Sequence, residues 1–135
     1  MGEETGPGRM LPPSIDDLAA IGERILADLP AKFRELLGPV PVVVQDWPDE
    51  ALLDALEIED PLGLTGLYQG VPISERHSAL PPSEPELIFL FRLPILAEWC
   101  ERGCALEEVV FDVLTHEIGH HFNMDEAWVL RMEGR

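Results

Sequence analysis

One segment constrains the fold more than any other, because residues 106–122 carry the clearest helical periodicity in the sequence. Val110, Leu114 and Ile118 recur at four-residue spacing, so they form one row along a helix and should face the core. A different flank of the same helix carries Val113, His116, Glu117 and His120. The chain must therefore fold so that it covers one side of this helix.

Shorter helical and strand patterns fill the rest of the chain. Helices are predicted over residues 15–37 and 49–56, from Pro94 through Trp99, and from an N-cap at Asp125. Strands are predicted over residues 40–44, 64–68 and 86–92, with a surface loop over residues 74–85. Pro30 should kink or divide the first helix, and Gly38 with Pro39 should end it. The pattern predicts a sheet of about three strands.

The length and composition indicate one globular domain. A chain of 135 residues suits a single core, so residues 1–135 are taken as one domain with a flexible N-terminus over residues 1–13. Hydrophobic residues at 46% and charged residues at 26% are typical of a folded protein. Residues 1–13 lack the basic start and apolar run of a signal peptide, and no stretch reaches the roughly 18 apolar residues of a membrane span. We therefore expect a cytoplasmic protein without membrane contact.

The formal net charge is −17, from 9 Lys and Arg against 26 Asp and Glu. Such a surface repels phosphate backbones and anionic lipid heads, which argues against nucleic acid as a partner. The two cysteines, Cys100 and Cys104, are interpreted as free thiols, because two thiolates without other clustered ligands make a weak metal site.

Three of the four histidines lie in the string HEIGHH over residues 116–121. His116 and His120 are four residues apart, so their imidazoles lie one helical turn apart on the same side and can bind one metal ion. Glu117 sits where a carboxylate can reach a metal-bound water without being a ligand, which makes it the candidate general base. His121 points roughly 100° away from His120 and is expected in the core or in support of a ligand. The alternative is that so short a pattern arises by chance.

A catalytic zinc site usually has three protein ligands and one water, so a third ligand is required. Asp125 and Glu126 are the nearest candidates. A turn at Asn123 can bring these acidic residues close to the two histidines, because Asn tolerates the left-handed conformation that ends a helix and reverses the chain. We predict Glu126 as the third ligand and Asp125 as the alternative, since Asp125 has a competing role as a helix N-cap.

From about residue 41 onward, the sequence resembles the small bacterial zincin-like metallopeptidases. Their helix carries HExxHH followed by Phe, a turn residue and acidic residues, and residues 116–126 (HEIGHHFNMDE) fit this pattern. Residues 66–76 (GLYQGVPISER) and 86–94 (ELIFLFRLP) fit as well. The spacing is also similar to that of metzincins, HExxHxxGxxH/D, in which Glu126 would occupy the third-ligand position and Asn123 the position of Gly.

The resemblance implies an α+β fold, a minimal zincin-like domain with a small mixed sheet packed by helices and the 106–122 helix beneath it. It implies Zn²⁺ as cofactor and peptide hydrolysis, in which zinc lowers the pKa of its bound water and Glu117 takes the proton. It also implies that the strand over residues 86–92 is the sheet edge that binds an extended peptide substrate. Arg76 and His77, upstream of this strand, are interpreted as part of a solvated loop.

Two other classes of function remain open. The chain can be a metal-binding protein without turnover, or an interaction module with a structural metal and an acid-rich surface for a basic partner. An open coordination position on the metal separates the enzyme from both alternatives, because a closed four-ligand site cannot activate water.

Overall fold

The computed structural model describes residues 11–70, 86–124 and 131. The described elements are the helices α1 (Ile15–Ala27), α2 (Ala31–Leu37), α3 (Glu50–Ala55), α4 (Arg92–Arg102) and α5 (Leu106–His121), the strands β1 (Val42–Gln45), β2 (Gly66–Gln69) and β3 (Leu87–Phe91), and a short 3-10 helix (Pro61–Gly63). Each predicted strand and helix within the described residues is confirmed, with bounds that shift by a few residues. The loop predicted over residues 74–85, with Arg76 and His77, and the helix predicted from Asp125 lie outside the described residues.

The helix boundaries follow local side-chain chemistry. Ser14 accepts a hydrogen bond from the Asp17 backbone N–H, and the Asp17 carboxylate accepts one from the Ser14 backbone N–H, which together cap α1. Pro30 divides the predicted first helix, as expected, into α1 and α2. Gly38 and Gly103, with φ of 68° and 65°, end α2 and α4 in conformations that favour glycine.

The sheet has the strand order β1-β3-β2, with β3 parallel to β1 and antiparallel to β2. The predicted α+β class with a mixed sheet of three strands is confirmed. The prediction that the strand over residues 86–92 forms the sheet edge is wrong, because β3 pairs on both sides. Its sequence explains the central position: Ile88 and Leu90 face one side and Phe89 and Phe91 the other, so β3 has no polar face to turn to water.

The main core lies between one face of the sheet and the helices α1, α4 and α5. Its fully buried aliphatic side chains are Leu18, Ile88, Leu90, Ile95, Val109, Val110, Leu114 and Ile118. The opposite face of the sheet carries a smaller cluster around Leu53, Leu64 and Phe91, with Leu67 and Phe89 packed against it. The sheet is therefore covered on both faces, and α5 lies on the same face as α1, against β2.

Among the described residues, no helix combines the length and apolar character that crossing a membrane requires. Cys100 and Cys104 are free thiols. Arg102, at the end of α4, connects α4 to α5 because its guanidinium binds Glu98 of α4 at 3.0 Å and Asp112 of α5 at 2.8 Å.

Candidate metal centre

The helix α5 serves both the core and the candidate site. Its predicted core row, Val110, Leu114 and Ile118, is fully buried. The other flank is divided, because Val113 is only 6% exposed and belongs to the core, whereas the histidines at its far end reach solvent. The core side of α5 therefore fixes the helix, and the exposed end presents His116 and His120 outward on one side.

The His116 ring is oriented by its own helix. Its Nδ1 lies 2.7 Å from the Asp112 carbonyl oxygen, one turn earlier. A carbonyl oxygen can only accept a hydrogen bond, so Nδ1 is the donor in this contact and Nε2 is the ring nitrogen left for a metal. Metal-binding histidines are commonly held in this way, with one ring nitrogen donating to a backbone carbonyl and the other left for the metal.

Glu117 is half-buried between α5 and the strand β2. The backbone N–H of Tyr68 faces its carboxylate and favours the charged form. Burial raises the pKa of Glu117, and the Tyr68 N–H and the positive charges that His120 and His116 can carry oppose this rise. A carboxylate with a raised pKa is a better proton acceptor than an ordinary glutamate, which suits a general base.

The register of β2 explains why the Tyr68 amide is available. The Phe91 N–H donates to the Thr65 carbonyl oxygen at 2.9 Å, and hydrogen-bonded pairs alternate along an antiparallel ladder. Leu67 therefore directs its backbone groups at β3, while Gly66 and Tyr68 direct theirs to the outer edge of the sheet. Glu117 meets β2 at this outer edge.

His121 turns toward the sheet rather than toward His120. Its ring stacks on Tyr68 with centroids 3.8 Å apart and meets Phe122 edge-on at 5.1 Å. The Tyr68 hydroxyl in turn donates to Glu86 Oε1 at 2.9 Å. This half-buried position agrees with the expectation that His121 belongs to the packing around the site.

The helix α5 ends in a turn at Asn123, which adopts the predicted left-handed conformation with φ of 58°. The Met124 N–H donates to the Gly119 carbonyl oxygen at 2.7 Å, and the Asn123 N–H donates to the His120 carbonyl oxygen at 3.2 Å. This pair of bonds is the Schellman motif, which ends a helix by a sharp turn. Met124, the last residue described before Asp125 and Glu126, is partly buried against the core.

The two candidate third ligands, Asp125 and Glu126, lie outside the described residues. Within residues 11–70, 86–124 and 131, no group of three or more His, Cys, Asp or Glu side chains is placed to hold a metal ion. The donor chemistry of the described part nevertheless fits zinc, since His116 offers Nε2, and His120 follows one helical turn later on the exposed side.

Sequence reasoning missed two residues of this region, Gly66 and Tyr68. Tyr68 contributes a backbone N–H, which residue type does not reveal. Gly66 gave a usable signal, because a glycine inside a short strand often marks a place where another element approaches closely.

Comparison with known families gives one result that covers most of the chain. A family profile described as zincin-like metallopeptidase matches residues 37–135, which include the whole sheet, α5 and both candidate third ligands. No curated protein matches the chain.

Proposed function

Because this chain belongs to the zincin-like metallopeptidase family, we propose that it is a zinc-dependent peptidase. The proposal assigns His116 and His120 as zinc ligands and Glu117 as the general base. The observation that carries it is the arrangement on α5, where His116 is held with Nε2 available and Glu117 lies half-buried beside it against β2.

Zinc, when bound, lowers the pKa of a coordinated water toward neutrality and polarises the carbonyl group of a substrate. The chain supplies the remaining steps. Glu117 accepts the proton of the attacking water and then delivers it to the leaving amine. The Tyr68 N–H faces the Glu117 carboxylate and would hold it beside the strand.

We propose Glu126 as the third protein ligand and Asp125 as the alternative. The support lies in the helix end, because α5 ends in a left-handed turn at Asn123, immediately before these two acids in the sequence. Three protein ligands would leave one position for water, which is the coordination of a catalytic rather than a structural zinc site.

The corrected sheet order changes the proposed place of substrate binding. Since β3 is central, we propose that an extended peptide pairs with the outer edge of β2, where the Gly66 backbone groups and the Tyr68 carbonyl group face outward while the Tyr68 N–H stays with Glu117. Main-chain pairing of this kind supplies affinity with little demand on side chains. We therefore expect broad rather than narrow cleavage specificity.

The test compares zinc-loaded wild-type protein with Glu117→Gln in the cleavage of a mixed peptide library. Glutamine keeps the size of the side chain and can accept the Tyr68 hydrogen bond, but it cannot take a proton from water. We expect cleavage by the wild type and a loss of at least about a hundredfold in Glu117→Gln, with unchanged zinc content.

Equal cleavage by both proteins would assign the activity to a contaminant. If neither protein cleaves the library although each binds one zinc, the alternative function, metal binding without turnover, would be favoured. A suitable control is Glu107→Gln, because Glu107 lies on the same helix, is exposed and is remote from the histidines.

A further inference from the structure

Gly66 of β2 lies in unusually close contact with α5. A Cβ atom at this position would lie 2.7 Å from Val113 Cγ1 and 3.0 Å from the Phe89 carbonyl oxygen. Carbon atoms in contact normally stay about 3.5–4.0 Å apart, so even a methyl group does not fit. Gly66 is not among the positive-φ glycines, so the requirement for glycine here is steric rather than conformational.

The same two elements meet again at the proposed general base. Tyr68 follows Gly66 by two residues, so both share one side of β2. Glu117 follows Val113 by four residues, so both share one flank of α5. The contact between Gly66 and Val113 therefore sets the distance between strand and helix at the adjoining contact, where the Tyr68 N–H meets the Glu117 carboxylate.

We propose that Gly66 is a positioning residue for Glu117. The absence of a side chain at Gly66 lets α5 approach β2 closely enough for the Tyr68 amide to hold the Glu117 carboxylate in place. The catalytic consequence rests on the proposed peptidase function, whereas the geometric consequence does not. Each can therefore be measured separately.

The perturbing variant is Gly66→Ala, which forces β2 and α5 apart. His116 and His120 both belong to α5 and move together, so we expect zinc affinity to stay within about threefold of wild type. The distance from Glu117 to the strand changes, and misplacement by about 1 Å can lower a catalytic rate by about a hundredfold. We expect kcat to fall by about ten- to a hundredfold, with little change in KM.

Two further variants separate positioning from general damage. Val113→Ala removes the atom that the new methyl group would meet, so the double variant Gly66→Ala, Val113→Ala should recover most of the lost kcat. Recovery remains partial because the Phe89 carbonyl oxygen still lies 3.0 Å from the added Cβ. Gly63→Ala is the matched control, since its Cβ would meet nothing closer than Ile58 Cγ2 at 3.8 Å, and its kcat should equal that of wild type.

A readout independent of activity is the Tyr68 amide signal in ¹H–¹⁵N spectra of the metal-free protein. Donation to a carboxylate moves an amide proton downfield, so Glu117→Ala should shift this signal upfield and define the position of the released amide. We expect Gly66→Ala to move the Tyr68 signal toward that position, and the double variant to return it toward wild type. If Gly66→Ala does not fold, Val113→Ile crowds the same contact from the helix side and should move the signal in the same direction.

A Tyr68 signal that stays at its wild-type position in the crowded variant would overturn the proposal. So would a displaced signal that Val113→Ala does not bring back. If wild-type protein shows no Glu117-dependent cleavage, the proposed function fails, and the amide measurements still decide whether Gly66 positions Glu117.

Discussion

His116 shows how a single hydrogen bond prepares a side chain for a metal. The Asp112 carbonyl oxygen fixes the tautomer and the ring orientation, so the lone pair on Nε2 is ready before any ligand arrives. This bond lies within one helical turn, and the sequence spacing was enough to predict the His116 and His120 pair. The contact of Glu117 with the Tyr68 amide was not predictable, because it joins residues far apart in the sequence through a backbone atom.

The third ligand can be assigned by two single substitutions. Glu126→Ala should weaken zinc binding by orders of magnitude, because a directly coordinating oxygen is lost. Asp125→Ala should leave zinc affinity nearly unchanged and lower the free energy of unfolding by about 0.5–2 kcal/mol, the usual cost of losing a helix N-cap. Competition with a zinc chelator measures both affinities. Normal binding by Glu126→Ala together with weak binding by Asp125→Ala would reverse the assignment.

The raised pKa of Glu117 predicts a pH-dependent stability in the metal-free protein. The folded state binds the Glu117 proton more tightly than the unfolded chain does, so this residue lowers the stability as pH rises through its folded pKa. Glutamine has no such proton. Metal-free Glu117→Gln should therefore be more stable than wild type at neutral pH, and the difference should shrink below the ordinary pKa of glutamate.

Urea unfolding of both proteins at the two pH values provides the measurement. A stability difference that is the same at both pH values would show that the substitution acts by packing rather than by charge. The matched control is Glu107→Gln, which removes one carboxylate from an exposed position of α5.

Helices and strands with a clear periodicity could be predicted from the sequence. The pairing of the strands in the sheet could be predicted only in part. The rows of α5 and the divided first helix follow from local spacing and from Pro30. The order of the strands depends on long-range pairing, and the prediction of an edge position for β3 was wrong. The sequence of β3 is apolar on both faces, which indicates a central strand, because only a strand with both faces covered can bury both sets of side chains.

The turn at the end of α5 should control zinc affinity through its direction. Asn123→Gly keeps the left-handed conformation available and should bind zinc like wild type. Asn123→Val places a β-branched residue at φ of 58°, which costs about 1–2 kcal/mol and favours a different exit from the helix. We expect Asn123→Val to bind zinc about five- to thirtyfold more weakly, as that free energy implies. Equal affinity in the two variants would mean that the third ligand does not depend on this turn.

The charge of the whole molecule decides how metal binding must be measured. With a net charge of −17, the chain attracts divalent cations to its surface without a specific site. Lys and Arg are absent from residues 35–70 and 103–124, so the acidic surface extends to the segments that carry β2 and α5. Zinc content alone therefore does not identify a site. The double variant His116→Ala, His120→Ala has the same formal charge and is the appropriate reference.

Specific zinc binding should stabilise the whole domain. A ligand that binds only the folded state stabilises it by about 2.7 kcal/mol at a concentration one hundred times its Kd. Thermal unfolding with and without zinc should show this increase in the wild type and none in the double variant. Equal stabilisation of both proteins would indicate surface binding.

We propose that one zinc ion held on α5, together with Glu117, catalyses the hydrolysis of peptide bonds. Titrating zinc into metal-stripped protein while following cleavage of the peptide library tests this proposal. We expect cleavage to rise with zinc and to level off at one equivalent per chain in the wild type, and to stay at background in Glu117→Gln and in His116→Ala, His120→Ala. Cleavage that is independent of added zinc, or equal in these variants and the wild type, would contradict it.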